Sequence, residues 1–338
     1  MKKVVIAFLF AASFIACKDE KKIPDVSNIK VDLPVNRFEK DFFSLNINDL
    51  SASLDTLYRK DPAFFQDYLS MVMAYEQTDT AIKYIPLFIK DSLYSTVYKE
   101  SQTKFASLDK TVNEIKRGLQ LTKHYFPSYN TPKGIVTFIG PIDGVATGIT
   151  SDNRFAIGLQ GYLGKDHPAY QTAYIRSVYP EYKSRKFSPE YIPVNCMMSV
   201  VDEIYPAQFA GKPLIEQMVE AGKRLYILQQ LLPETNDTLI TGYTKAQLDA
   251  AYANETNIWG YLVTSNLLYN TDPVTLRDYM NEAPFTLPFG QGSPPFVGQF
   301  IGWQIVKKWI IKTNKSLEEL LKTPAKQVFE EAKYKPTS

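Results

Sequence analysis

The 338 residues carry 38 Lys and Arg against 36 Asp and Glu, and the excess of two is Lys2 and Lys3 at the very start. The rest of the chain is charge-balanced and so offers no electrostatic footprint for nucleic acid. Hydrophobic residues at 45% and aromatics at 13% mark a folded globular protein, and two cysteines exclude a four-cysteine zinc site.

At the start of the chain, Lys2 and Lys3 precede the apolar stretch Val4 to Ala16. It is too short to span a bilayer and suits the apolar core of a secretory signal. Ala16-Cys17 at its end is the pattern cut by lipoprotein signal peptidase, which leaves Cys17 as a mature N-terminus carrying fatty acyl chains. An ordinary signal cleavage site wants a small residue three before the cut, and Phe14 stands there. Residues 1–16 are therefore expected to be removed. Lipidating Cys17 leaves Cys196 alone, so neither an intrachain disulfide nor a two-cysteine, two-histidine zinc site can form.

Residues 17–33 are charged and lack helical periodicity, which predicts a flexible tether ahead of a single globular domain over 34–338. No later apolar run approaches the length of a membrane span. Leu50, Leu54, Leu57 and Tyr58 lie on one helical face, and Phe64, Phe65, Tyr68, Leu69 and Val72 on another. Asp61-Pro62 opens the second as N-cap and first turn. Residues 80–126 read as continuing helix. After Pro127, the segments 134–139, 144–149 and 154–159 are β-branched or aromatic and separated by turn residues, which predicts a sheet of three or four strands.

From residue 190 onward the spacing is again helical. Val194, Met197, Met198, Val201, Ile204 and Tyr205 form a stripe ended by Pro206, and a second helix is expected over 213–231. Thr244 with Gln247 is a capping-box pattern. The Pro- and Gly-rich residues 271–295 read as a long loop, and helices are expected over 296–312 and 317–332. The fold class is α+β, mainly α: a helical N-terminal part, a small β-sheet and a helical C-terminal part.

The segments Val35 to Phe43, Ile157 to Gly164, Ile192 to Met198, Gly242 to Thr244, Asn254-Glu255 through Trp259, Asn281 to Thr286 and Gly302-Trp303 resemble the gliding motility lipoprotein GldB family over essentially the whole chain. The resemblance implies an envelope role in gliding and its associated protein secretion, with partners in that machinery and no nucleic acid. It defines no molecular activity. Lys18-Asp19-Glu20, just after the lipidation site, resembles lysine-plus-acidic signals that send lipoproteins to the cell surface. An outer-membrane location is expected, with its face undecided.

The order of helices, small sheet and two further helices also looks like a zincin metallopeptidase core. There, two histidines four apart on one helix share a metal, and a glutamate acts as general base. In this register Asn195 and Ser199 take the histidine positions and Cys196 the glutamate position. Ala221, next to Glu220, takes the slot of the third ligand. An amide and a hydroxyl do not replace two imidazoles, so the candidate groove of Asn195, Cys196, Ser199, Glu220 and Ala221 reads as a degenerate one, with no metal and no cofactor.

Other constellations carry less chemistry. Neither His124 nor His167 has a partner at metal spacing, the neighbours Asp202 and Glu203 diverge on a helix, and Gly290-Gln-Gly-Ser lacks the lysine of a phosphate loop. No catalytic motif is recognised, and the expected role is that of an interaction or scaffold lipoprotein. The alternative is a hydrolase whose active site the motifs do not reveal, built around Cys196 or an acid pair.

Overall fold

The computed structural model describes residues 23–75 and 78–336. The expected signal segment and Cys17 lie outside the described residues. The fold is mainly helical around one small mixed sheet, as its class predicted.

β1 (Val35–Arg37) leads into α1 (Phe38–Phe43) and α2 (Leu50–Lys60). Asp61 caps α3 (Pro62–Asp67) by accepting from the Phe64 N–H, with Pro62 in the first turn as the sequence indicates. A π-helical turn, Tyr68–Val72, follows, and the buried Tyr68 hydroxyl donates to the Ile139 carbonyl at 2.7 Å. The helix expected over 80–126 is in fact three: α4 (Thr78–Lys90), α5 (Ser92–Lys104) and α6 (Asp109–Tyr125). The first break falls at Asp91, whose carboxylate accepts from the N–H groups of Leu93 and Tyr94 and so restarts the helix.

β2 (Ile135–Phe138), β3 (Thr147–Ile149) and β4 (Phe155–Gly158) complete a sheet in the order β1-β2-β4-β3. β1 runs parallel to β2 and β2 to β4, with Val35 opposite Ile135 and Ile135 opposite Phe155, while β3 is the antiparallel edge. The all-buried β2 explains its unbroken Ile-Val-Thr-Phe composition. α7 (Ala173–Val178) and α8 (Glu181–Ser184) then lead to α9 (Tyr191–Ile204), which packs beneath β3 and against α6.

α10 (Leu214–Leu231) is the central helix, followed by α11 (Asp237–Thr241), α12 (Lys245–Ala253) and α13 (Glu255–Thr264). Both halves of the predicted capping box form at the start of α12. The segment 271–295, expected as loop, contains α14 (Pro273–Met280), because Asp272 accepts from the Thr275 N–H and Pro273 fills the first turn. α15 (Val297–Thr313) is followed not by one helix but by two, α16 (Leu317–Lys322) and α17 (Ala325–Ala332), since Pro324 cannot extend α16.

α10 and α15 touch backbone to backbone. A Cβ added to Gly222 would lie 2.2 Å from the Gly302 carbonyl carbon, and one added to Gly302 would lie 1.6 Å from the Met218 carbonyl oxygen. At the sheet, the Arg154 guanidinium donates two 2.8 Å hydrogen bonds to Asp61, and Asn36 donates a third at 2.6 Å, tying the start of α3 to β4 and β1.

Residues 24–33 of the expected tether are docked on the body. Val26, Val31 and Leu33 are buried, and α6 holds the segment by its carbonyls. Arg117 donates to Pro24 O, Gln120 to Ile29 O and Lys123 to Lys30 O. Three apolar side chains spaced among charges gave no helical period, yet a strip lying on a helix needs none.

Candidate functional site

The polar corner nearest the predicted groove is built where β3, the turn after β4 and α9 meet. Tyr162 is nearly fully buried, and its hydroxyl sits between the Thr147 hydroxyl on β3 and the Asn195 amide on α9, which donates at 2.8 Å. Burial pushes the Tyr162 hydroxyl up to about 12, against the opposing pull of its bonds to Asn195 and Thr147. At neutral pH it is a neutral phenol.

A cavity of about 200 Å³ opens here, lined by Tyr162, Lys183, Lys186, Phe187, Asn195 and Glu282 among others. It has room for one small group or a single side chain. Lys186 pairs with the Glu282 carboxylate and stands 5.7 Å from the Phe296 ring. Gly242, at φ +69°, lets the Lys186 stem pass, since a Cβ there would approach it to 2.9 Å. Phe296 itself has φ +35°, a strained value for a bulky residue, held by stacking on Tyr243 at 5.1 Å.

The five predicted groove residues make different contacts. Asn195 lines the cavity. The Ser199 hydroxyl donates back to the Asn195 carbonyl at 3.2 Å, within its own helix. Cys196 is fully buried, and burial pushes its thiol up, so it carries no nucleophilic thiolate. Glu220 belongs to a separate cluster, accepting from Tyr205 and from Lys212 at 3.0 Å. Beside it the buried Lys223 donates to the Tyr205 hydroxyl at 3.0 Å and the Thr323 carbonyl at 2.6 Å. Ala221 is simply buried in α10.

A zincin-type metal does not fit these residues. Asn195 and Ser199 offer only a neutral amide oxygen and a hydroxyl, which do not replace two imidazoles, while Cys196 is fully buried and Glu220 accepts from Tyr205 and Lys212. Among the described residues, no three His, Cys, Asp or Glu side chains are grouped as metal ligands. His167 caps a short 3-10 turn by accepting from the Ala169 N–H at 3.2 Å and pairs with Glu100, while His124 packs on Tyr125. Asp202 pairs with Arg224 and Glu203 accepts from Tyr129, so the two acids diverge.

Sequence reasoning missed Tyr162, Lys183, Lys186 and Glu282. Tyr162 and Glu282 do fall in the quoted segments Ile157 to Gly164 and Asn281 to Thr286, and Asn195 and Gly242 fall in two others. Four separate segments that carry the resemblance thus meet at one corner of the fold.

The profile of the family described as gliding motility protein GldB matches residues 19–336 of the 338. The chain belongs to the GldB family. No curated protein and no solved structure matches it. Membership makes it a gliding motility lipoprotein, in keeping with a membrane-anchored place in the envelope. Among the described residues, no helix is long and apolar enough to cross a membrane. For this GldB family chain, the corner around Tyr162 and Asn195 is the candidate site.

Because Asn195 and Ser199 are partly exposed, their combined replacement by alanine is expected to cost little. The Asn195 amide bond to Tyr162 is a single neutral hydrogen bond, worth about 1 kcal/mol. The Ser199 hydroxyl adds almost nothing, because its bond only competes with the helix. Urea unfolding of the double variant should show a small decrease in midpoint with unchanged slope. A decrease of several kcal/mol would place Asn195 in a buried network rather than at a cavity wall.

Proposed function

We propose that this protein is anchored by lipid at Cys17, in the outer membrane, and supports gliding motility and the associated protein secretion as a non-catalytic interaction or scaffold protein. In this reading the corner under β3 is a degenerate zincin-like groove. The observation that supports it most is the chemistry of α9: where a zincin presents two imidazoles, this helix presents the neutral amide of Asn195, bonded to Tyr162, and the Ser199 hydroxyl, bonded within its own helix, and the thiol beside them is buried. Its partners are envelope proteins of the gliding and secretion machinery.

The anchoring reading is tested by Cys17→Ala. The variant is expected to leave the membrane fraction or to accumulate as unprocessed precursor, and mass spectrometry of the wild-type N-terminal peptide should find lipid on Cys17. Unchanged partitioning without lipid would refute it. The non-catalytic reading is tested in a deletion strain. Asn195→Ala combined with Ser199→Ala, expressed at wild-type level, should restore spreading, and purified protein should hold no stoichiometric zinc. One zinc per chain, lost in the double variant together with spreading, would favour the hydrolase alternative.

A further inference from the structure

The docking of the segment that follows residue 22 limits which face a lipid on Cys17 can reach. Ile23 is the first described residue, and the next one, Pro24, is already held on the middle of α6 by the Arg117 guanidinium at 3.3 Å. Val26 is buried at 1% exposure, so the strip is docked almost from its first residue. Arg117 also lines a cavity of about 570 Å³ together with Asn113, Leu231 and Glu234. The exit point therefore lies where the first half of α6 meets the turn between α10 and α11.

Six residues, Cys17 to Lys22, separate a lipid on Cys17 from Ile23. Fully extended, they reach at most about 20 Å. A body of this length has a radius of gyration of about 20 Å and so measures roughly 50 Å across. A leash shorter than half the body cannot let the opposite face reach the bilayer. The exit face has mixed charge, with Lys110 and Arg117 near Asp25, Glu114 and Glu234. Electrostatic attraction to anionic lipid is correspondingly small there.

We propose that the membrane carrying the lipid is the standing partner of one face of this protein, the first half of α6 with the α10–α11 turn, and that the short leash keeps this face against the headgroups. The proposal rests on the reading that Cys17 is lipidated. It leaves the far end of α10, about 27 Å from Leu231 along the helix axis, farther from the exit than the first half of α6.

The test uses full-length lipidated protein in vesicles of phosphatidylethanolamine and phosphatidylglycerol, with an energy-transfer acceptor on the headgroups. Donor dyes are placed singly at Asn113→Cys, exposed on α6, and at Ala210→Cys, exposed just before α10. Asn113 should lose most of its donor emission and Ala210 much less. Inserting a Gly/Ser segment of about 40 residues between Lys22 and Ile23, with an r.m.s. span of roughly 35 Å, should abolish the difference. Equal transfer from both sites on lipidated protein overturns the proposal alone. A difference that survives the insertion overturns the leash as its cause. An unmodified Cys17 peptide by mass spectrometry sinks the anchoring reading, and this proposal with it.

Discussion

Gly302→Ala is expected to leave most of the chain unfolded or insoluble, with a loss above about 3 kcal/mol, the upper end of ordinary overpacking. Ordinary overpacking is relieved by moving side chains. Here the added methyl meets the Met218 carbonyl oxygen at 1.6 Å and its carbon at 2.3 Å, both backbone atoms of α10. Relief requires α10 and α15 to separate, and these helices bury Trp303, Ile305, Leu228 and Met218 between and around them. The comparison is Gly260→Ala in α13, where nothing lies within 4 Å of the new methyl. That variant should gain about 0.5–1 kcal/mol from helix propensity. Urea midpoints of the two variants against the wild type decide the matter, and a Gly302→Ala midpoint near the wild type would show that the helix crossing yields to the methyl at little cost.

Asp61→Ala is expected to cost about 3 kcal/mol, the lower end of the loss when one partner of a buried ion pair is removed. Arg154 keeps Asp152 as a partner at 2.9 Å, which spares the full penalty. The same substitution removes the cap of α3, worth about 1 kcal/mol. Burial pushes the Asp61 carboxyl up, but the hydrogen bonds and charge of Arg154 prevail and hold it below the usual carboxylate range. A depressed carboxyl stabilises the fold above the unfolded-state value of about 3.9 and loses that contribution as pH falls through the folded-state value. Wild-type stability should therefore fall in acid more steeply than that of Asp61→Asn, which keeps the cap geometry but not the charge. Parallel pH profiles for the two would refute this assignment.

Features carried by neighbouring residues were legible in the sequence. Asp61-Pro62 and the Thr244 and Gln247 box act within four residues, and both form as read. The three segments rich in β-branched residues became β2, β3 and β4. β1 was not legible, because three half-exposed residues have no pattern of their own and become a strand only by lying parallel to β2, about a hundred residues later. The helix breaks at Asp91 and Pro324 carried signals, an N-cap and a proline, that an otherwise continuous apolar periodicity masked. α14 was hidden in the opposite way, since its Pro and Gly surroundings outweighed the Asp272 cap.

The candidate site was less legible than the fold. Asn195 was named for its helix position, but what it meets is Tyr162, 33 residues earlier, in a strand-to-turn segment. Lys186 meets Glu282 across 96 residues. No local pattern encodes such pairs, because each side chain is placed by a different element. Glu220 was grouped with Asn195 as the acid beside the third-ligand slot of the zincin register, and on α10 its carboxylate accepts from Tyr205 and Lys212, partners the register did not name.

The depth of Cys196 bears on how the chain survives its journey. Oxidants and alkylating agents attack the thiolate. In the folded state Cys196 has neither access nor charge. If Cys17 is acylated, the folded protein presents no reactive thiol among the described residues, and Cys196 is exposed to oxidants in the interval between translocation and closure of α9 onto α6. Speed of folding, rather than any enzyme or partner thiol, would then be the cysteine's protection.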